Sequence, residues 1–125
     1  MSYQTSWKNF PEKELRCQHT GFTNPNPEFK VLMDKIQELR DLYGKPLSVS
    51  SAYRHTSHPI ESKKSKGGQH TIAAIDLKVS GEASVEVLKL ALRLGFTGIG
   101  VHQKGNFNQR FIHLDLRSSP WMWSY

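Results

Sequence analysis

Two histidines and one aspartate have the residue types and the surroundings of a zinc site. His70 and Asp76 lie six positions apart, with only small and apolar residues between Thr71 and Asp76. His113 lies in a segment whose apolar and polar residues alternate, which is typical of a strand. Two imidazole nitrogens and one carboxylate oxygen suit zinc, and three protein ligands leave a position open for water, as in catalytic sites. The sequence therefore predicts a catalytic zinc held by His70, Asp76 and His113.

Asp115 is the candidate for moving a proton, which amide hydrolysis requires in addition to the metal. It lies two residues after His113 and therefore faces the same side of a strand as that ligand. From there its carboxylate can act as the proton shuttle or orient an imidazole. The alternative is an exposed carboxylate paired with Arg110 or Arg117. We expect Asp115 to be the catalytic base.

Arg54 is the candidate for holding the substrate. It directly follows the end of a predicted strand, and its planar guanidinium can bind a substrate carboxylate through two hydrogen bonds. Ser51 lies three residues before Arg54, and His58 lies in the loop that follows, so both are further candidate substrate contacts. The alternative for Arg54 is an ordinary surface arginine.

Three other features have the chemistry of a site but lack an evident partner. Cys17 and His19 resemble half of a metal site, and no second half is visible in the sequence, so we interpret them as structural. His102 lies in a connection between strands, where it can supply a proton or have no role. The segment Trp121–Trp123 predicts a hydrophobic tail that docks on the core, with a wall of the substrate site as the alternative.

Two helices are predicted from apolar residues that recur at helical spacing. The first begins after Asn26, a plausible N-cap followed by Pro27, and ends at Gly44. The second is predicted over about 83–94 and ends at Gly95. The residues on its predicted apolar face are Val85, Leu88 and Leu92.

Four strands complete the predicted fold, and they must carry the zinc ligands. They are predicted over 47–50, 72–79, 97–101 and 111–116. Residues 55–69 are predicted to be a long loop with a turn of helix around 59–61. This order indicates an α+β domain in which helices pack on a small, mainly antiparallel sheet. The zinc site is then on the sheet, provided that the strands carrying Asp76 and His113 are close neighbours.

The chain has the length of one domain, residues 1–125, and a basic composition. Its formal net charge is +6, which attracts polyanions such as nucleic acids and anionic cell-wall polymers. The densest basic run, Lys63–Lys66, lacks the interleaved aromatic residues that stack on bases, so we expect no nucleic-acid partner. With one cysteine there is no intramolecular disulfide, and a bound metal would stabilise a domain of this size.

Four motifs, taken in order, resemble those of zinc D-Ala-D-Ala carboxypeptidases and related peptidoglycan peptidases, which include phage endolysins that cut L-alanyl-D-glutamate bonds. The motifs are Ser51–Arg54, Gln69–His70 leading to Ala74–Asp76, Gly98–Val101 and Phe111–Asp115. The resemblance covers about residues 27–118, preceded by an irregular lead-in (1–26) and followed by an aromatic tail (119–125). It implies zinc on His70, Asp76 and His113, and a substrate-binding arginine at Arg54.

The sequence departs from the family pattern at two places. One residue is missing between His70 and Asp76, so the loss must be absorbed in the turn after His70 if Asp76 is to keep its facing. Many members carry a catalytic acid or histidine two or three residues before the last ligand, where this chain has Arg110 and Phe111. These departures leave Asp115 as the proton-transfer residue.

The resemblance implies a zinc peptidase that cuts the short peptides of bacterial cell walls, at a D-Ala-containing or L-Ala-D-Glu bond. The sequence has neither the start typical of a secretory signal nor an apolar run of membrane-spanning length. We therefore expect a protein that is made in the cytoplasm and reaches the cell wall after a holin opens the inner membrane, or as a virion component. We also expect a monomer. The alternatives are a non-catalytic wall-binding or virion structural protein on the same fold, and a small basic nucleic-acid-binding protein.

Overall fold

The computed structural model describes residues 7–55, 57–58 and 68–125. The predicted helical turn around 59–61 and the basic run Lys63–Lys66 lie outside these residues. Short 3₁₀ turns at Gln69–Thr71 and Phe107–Gln109 precede the second and fourth strands. The elements are α1 (Glu12–Leu15), α2 (Pro27–Tyr43), β1 (Ser48–Ser51), β2 (Ala74–Lys78), α3 (Glu82–Arg93), β3 (Gly98–His102), β4 (Phe111–Asp115) and β5 (Trp121–Ser124). The predicted α+β class is confirmed.

The five strands form one sheet in the order β1-β2-β4-β3-β5. All neighbours are antiparallel except β3 and β5, which run parallel. The strands β2 and β4 are therefore adjacent, as the predicted zinc site requires. One row of paired residues crosses the whole sheet, and it consists of Ser51, Asp76, His113, Gly100 and Trp123.

The two faces of the sheet differ because side chains alternate along each strand. One face carries branched apolar residues that pack against α2 and α3 and form the core. The opposite face carries the polar residues of β2 and β4 and two glycines of β3. The buried apolar residues of the core face are Ile75, Leu77, Ile99, Ile112 and Leu114.

Helix α2 matches its prediction closely. It begins at Pro27, whose missing N–H suits the first turn of a helix, and it ends at Gly44, whose φ of 74° is the left-handed conformation that glycine adopts readily. The residues that it buries are Phe29, Leu32, Met33, Ile36 and Leu39. Among the described residues, no helix has the length and apolar character that crossing a membrane requires.

The apolar face predicted for α3 is wrong at Val85 and Leu92, whereas Leu88 packs against the core as predicted. Val85 and Leu92 are more than half exposed, whereas Val87 and Ala91 are fully buried and Ser84 is buried beside them. The helix packs on α2 and β4 with a narrow stripe of small residues, and its larger leucines lie at the edge of the contact. Small side chains allow α3 to approach its neighbours closely, and helical spacing alone does not reveal that preference.

The prediction that Trp121–Trp123 forms a tail docked on the core is also wrong. These residues belong to β5, which extends the sheet beyond β3 through parallel pairing. Trp121 and Met122 remain 67% and 54% exposed, so they contribute little to the core. Only the ring of Trp123 turns inward, and it does so on the polar face of the sheet.

Candidate metal centre

Three donor atoms from His70, Asp76 and His113 converge on the polar face of the sheet. The Oδ1 atom of Asp76 lies 3.2 Å from Nε2 of His70 and 3.1 Å from Nδ1 of His113. In a tetrahedral zinc site with bonds of about 2.0–2.1 Å, neighbouring ligand atoms are about 3.3 Å apart. The three side chains are buried and their donor atoms all lie within 4.8 Å of one another. Their spacing therefore fits a single metal ion.

The second nitrogen of each imidazole shows which atoms are free to bind a metal. Nδ1 of His70 donates to the carbonyl oxygen of Ala52 at 2.6 Å, and Nε2 of His113 donates to Oδ2 of Asp115 at 2.7 Å. In the neutral imidazoles, Nε2 of His70 and Nδ1 of His113 then carry lone pairs. Both lone pairs point at the negatively charged carboxylate of Asp76. A proton or a cation must lie between these electron-rich atoms, and the burial of the site favours a cation that satisfies all three at once.

The pKa values of the same groups reflect this convergence. Burial would raise the pKa of Asp76, but hydrogen bonds with His113 and His70 outweigh it and hold the pKa well below its usual range. Burial would lower the pKa of His113, but hydrogen bonds with Asp115 and Asp76 outweigh it and raise the pKa. The environment therefore favours a negative carboxylate facing a positive charge.

Metal binding should weaken as the pH falls, because Nδ1 of His113 must be free of its proton to bind a metal. The pKa of His113 is raised above its ordinary value of 6.5, so protons compete with a metal at a higher pH than they would at an ordinary histidine. Below that pKa we expect the apparent dissociation constant for zinc to rise about tenfold per pH unit for each proton displaced. Titration against a chromophoric chelator between about pH 5.5 and about pH 8 measures this dependence. An affinity that stays constant across that range would contradict the assignment of His113.

Two segments of the chain hold His70 in place. The 3₁₀ turn Gln69–Thr71 carries it, and its carbonyl oxygen accepts a 2.8 Å hydrogen bond from the backbone N–H of Arg54. Together with the bond from the His70 ring to Ala52, this ties the turn to the segment after β1. Ile72, which follows the turn, has a helical conformation before β2 begins. Asp76 faces His70, with its Oδ1 atom 3.2 Å from Nε2 of His70.

Two asparagines of the lead-in support the same turn, and the sequence analysis did not identify them. Nδ2 of Asn24 donates to the carbonyl oxygen of Ile72 at 2.7 Å, and Nδ2 of Asn26 donates to that of Thr71 at 3.1 Å. Asn24 is buried, and its own Oδ1 accepts a hydrogen bond from the backbone N–H of Asn26. The only available signal was the repeated Asn-Pro in this segment, which indicates a turn but not its contact.

Asp115 is fully buried, and among the described residues the hydrogen-bond partners of its carboxylate are His113 and Arg117. Besides the bond to His113, its carboxylate accepts bonds from Nη2 of Arg117 at 2.6 Å, from Nε at 2.8 Å and from the backbone N–H at 3.1 Å. Burial would raise the pKa of Asp115, but the hydrogen bonds from Arg117 and His113 hold it well below its usual range. This geometry favours the orienting role over the proton shuttle, because a strongly bonded, fully ionised carboxylate is a poor proton acceptor.

Glycine at position 98 makes the buried position of Asp115 possible. Gly98 is paired with Asp115 across β3 and β4, and a Cβ atom at residue 98 would collide with the Asp115 carboxylate. The Gly98–Val101 motif of the sequence therefore has a steric basis. It leaves room on the polar face of β3 for side chains from the neighbouring strands.

A cleft of about 370 Å³ opens over the three donor atoms. The predicted substrate residue Arg54 lines it, and Nη2 of Arg54 lies 3.7 Å from Oδ2 of Asp76. Ser51 instead contacts Arg54, accepting a 3.2 Å hydrogen bond from Nε. His58 packs edge-on against His19 and is not among the described residues that line the cleft. Those residues are Arg54, Gln69, His70, Asp76, Phe111, His113, Arg117, Trp123 and Tyr125.

The remaining candidates lie outside the cluster of metal donors. The ring of His102 packs against Phe111 and Tyr125 at centroid distances of 5.2 and 5.6 Å. Cys17 is fully buried, in agreement with its structural interpretation. Within the described residues, His70, Asp76 and His113 are the one group of three or more histidine, cysteine or acidic side chains close enough to share an ion.

Comparison with known families agrees with this site. The family model described as Peptidase M15 matches residues 8–115, which include all three metal-donor residues, Arg54 and Asp115. The match ends at Asp115 and leaves β5 outside it. No curated protein matches the chain.

Proposed function

Because the chain belongs to the peptidase M15 family of zinc D-Ala-D-Ala carboxypeptidase-like enzymes, we propose that it is a zinc-dependent hydrolase of the short peptides in bacterial cell walls. The family identifies a metallopeptidase with a peptide substrate. One observation carries the proposal: the donor atoms of His70, Asp76 and His113 converge at the floor of a cleft that Arg54 lines. The formal net charge of +6 supports a target that contains anionic wall polymers.

Zinc is the metal we propose, because two imidazole nitrogens and a carboxylate oxygen at this spacing match its ligand preference. When bound, the metal would polarise the carbonyl of the substrate and lower the pKa of a water molecule. Asp115 positions His113 by accepting its Nε2–H, and the carbonyl of Ala52 positions His70 in the same way. Fixing both rings directs their free nitrogens towards Asp76, which would raise the affinity of the site for a metal.

Arg54 is placed to hold a substrate carboxylate at the edge of the cleft. Its side chain is 18% exposed, and Ser51 restrains its guanidinium through the bond to Nε. A restrained, planar fork binds a carboxylate with less loss of entropy than a flexible ammonium group does. The proposed substrate therefore carries a free carboxylate near the bond that is cut.

Replacing Arg54 with lysine should raise KM while metal binding stays at the parent level. The lysine keeps the positive charge but cannot make two parallel hydrogen bonds to a carboxylate. We expect kcat/KM for a peptide with a free carboxylate to fall by about ten- to a hundredfold, the value of one or two charge-assisted hydrogen bonds. Steady-state kinetics on the peptide with a free C-terminal carboxylate, and on the same peptide with a C-terminal amide, measure this loss. Equal losses on both peptides would show that Arg54 does not bind the carboxylate.

Digestion of purified peptidoglycan, followed by mass analysis of the released muropeptides, tests the proposed function. Metal content is measured on the same sample, so that inactive protein without metal is recognised. We expect zinc near one equivalent and new amino groups at one type of peptide bond, D-Ala-containing or L-Ala-D-Glu. Bound zinc without released amines would instead support a non-catalytic wall-binding or virion structural protein. DNA binding that weakens steeply with salt, without bound metal, would support a nucleic-acid-binding protein.

A further inference from the structure

The cleft is completed by residues that follow the part of the chain matched by the family model. That match ends at residue 115, whereas Arg117, Trp123 and Tyr125 all line the cleft. Trp123 lies on β5 and Tyr125 directly follows this strand. These two residues, the aromatic wall, are therefore not assigned by the family comparison.

The ring of Trp123 reaches the metal site because the neighbouring residue on β3 is glycine. A side chain at that position would collide with the indole. Trp123 pairs with Gly100, which in turn pairs with His113. A Cβ atom at residue 100 would lie only 2.6 Å from Cε2 of Trp123. The indole crosses this gap and lies with its centroid 4.9 Å from that of the His113 ring.

Several contacts fix the position of the indole. Cζ of Arg117 lies 4.6 Å from the centre of the Trp123 ring, a cation–π distance, while Arg117 itself is bound to buried Asp115. Backbone bonds from the N–H of Trp121 to Thr97 and from the N–H of Tyr125 to Val101 hold the two ends of the strand. The contacts with His113 and Arg117 favour this position of the ring, in which it limits the space beside the metal site.

Tyr125, which follows β5, extends the aromatic wall towards Phe111 and His102. Its ring packs against Phe111 at 5.0 Å and against His102 at 5.6 Å between centroids. In the order of the strands, β5 and β1 are the two edges of the sheet, with the metal ligands on β2 and β4 between them. Arg54 follows β1, so the aromatic wall and the proposed carboxylate-binding residue lie on opposite sides of the site.

We propose that the aromatic wall is a specificity element that restricts the substrate to peptides with an alanine-sized side chain on the Trp123 side of the metal. This inference rests on the proposed function, because it assumes that the substrate is a peptide whose carboxylate lies at Arg54. The cleft volume of about 370 Å³ is near the lower end of ligand pockets, which span about 300–1,000 Å³. An indole held beside His113 occupies space that a longer side chain on this side of the cleft would need.

The test measures binding and hydrolysis of N-acetyl dipeptides that present alanine or leucine at each position, with the zinc-loaded protein. We expect the parent to favour alanine over leucine at one position by at least about tenfold. Trp123→Ala should reduce that ratio to within about threefold at unchanged zinc content, because it removes the steric limit. Tyr125→Ala should act in the same direction. Trp121→Ala is the matched control, since Trp121 lies on the same strand but outside the cleft.

A variant on β3 tests the same geometry from the other side. Gly100→Ala should push the indole into the cleft and weaken binding of all the dipeptides, with less effect on zinc content. If Trp123→Ala loses zinc, Trp123→Phe keeps an aromatic ring against His113 and should show an intermediate alanine preference.

The outcomes separate this inference from the proposed function. If the parent hydrolyses peptidoglycan and Trp123→Ala keeps the alanine preference of the parent, the specificity role is overturned and the proposed hydrolase function stands. Peptide binding with a Trp123-dependent preference, but without hydrolysis of peptidoglycan, would support the specificity role of the aromatic wall and overturn the proposed hydrolase function. A zinc-loaded parent that binds none of the dipeptides would overturn the inference.

Discussion

Replacing His113 with alanine should abolish high-affinity metal binding and all peptide hydrolysis. The substitution removes one of three donor atoms and leaves His70 and Asp76 as an incomplete site. It also removes the stabilisation that a bound ligand confers, about 4 kcal/mol when zinc is present at a thousand times its dissociation constant. The melting temperature of the parent should therefore rise on addition of zinc, while that of His113→Ala should not. Metal content after gel filtration and thermal melts with and without zinc measure both effects.

His19→Ala is a suitable control for this experiment. His19 is exposed and lies outside the three-residue site, so its loss should leave metal content and activity at the parent level. If His113→Ala retained one zinc at the parent affinity, the metal would be held elsewhere and the proposed site would be wrong.

Replacing Asp115 with asparagine should have the second largest effect. The variant keeps the shape of the side chain but loses the charge that fixes the Nε2–H of His113 and binds Arg117. Loss of such an outer partner typically weakens metal binding by about 10- to 100-fold. Removing one member of a buried ion pair costs about 3–5 kcal/mol, and we expect the lower end because the Arg117 side chain is 25% exposed. Zinc titration and chemical denaturation of the metal-free protein measure the two losses.

Excess zinc distinguishes an orienting Asp115 from a proton-shuttling one. If Asp115 acts by positioning His113, saturating zinc should restore most of the turnover of Asp115→Asn, because the weakened site is then filled. If Asp115 were the catalytic base, turnover would stay low at any zinc concentration and the pH profile would lose its acid limb. Asp41→Asn, a change of the same kind at an exposed position on α2, should match the parent throughout.

The convergence of the three proposed metal ligands was predictable, because local patterns determine which way these side chains face. Alternation along the fourth strand places His113 and Asp115 on one side, and the apolar run before Lys78 indicates a neighbouring buried strand. The pairing of Asp76 with His113 follows once those two strands are adjacent. The family motifs added the order of the residues.

The supporting residues were not predictable because their contacts join distant parts of the chain. Asn24 is 48 residues from Ile72, whose carbonyl it binds, and no local pattern marks that pair. For Trp123 the sequence offered a wall of the substrate site only as an alternative, because its contact with His113 depends on the parallel pairing of β5 with β3. The role of Asp115 depended on Arg117, which the sequence suggested only as the partner of an exposed carboxylate.

A crystal structure of the zinc-loaded protein, with anomalous scattering measured at the zinc absorption edge, tests the central claim most directly. We predict one strong peak about 2.0–2.1 Å from Nε2 of His70, Oδ1 of Asp76 and Nδ1 of His113, with a water or substrate atom completing the shell. A peak bound to other side chains, or a fourth protein ligand closing the shell, would contradict a catalytic metal at this site.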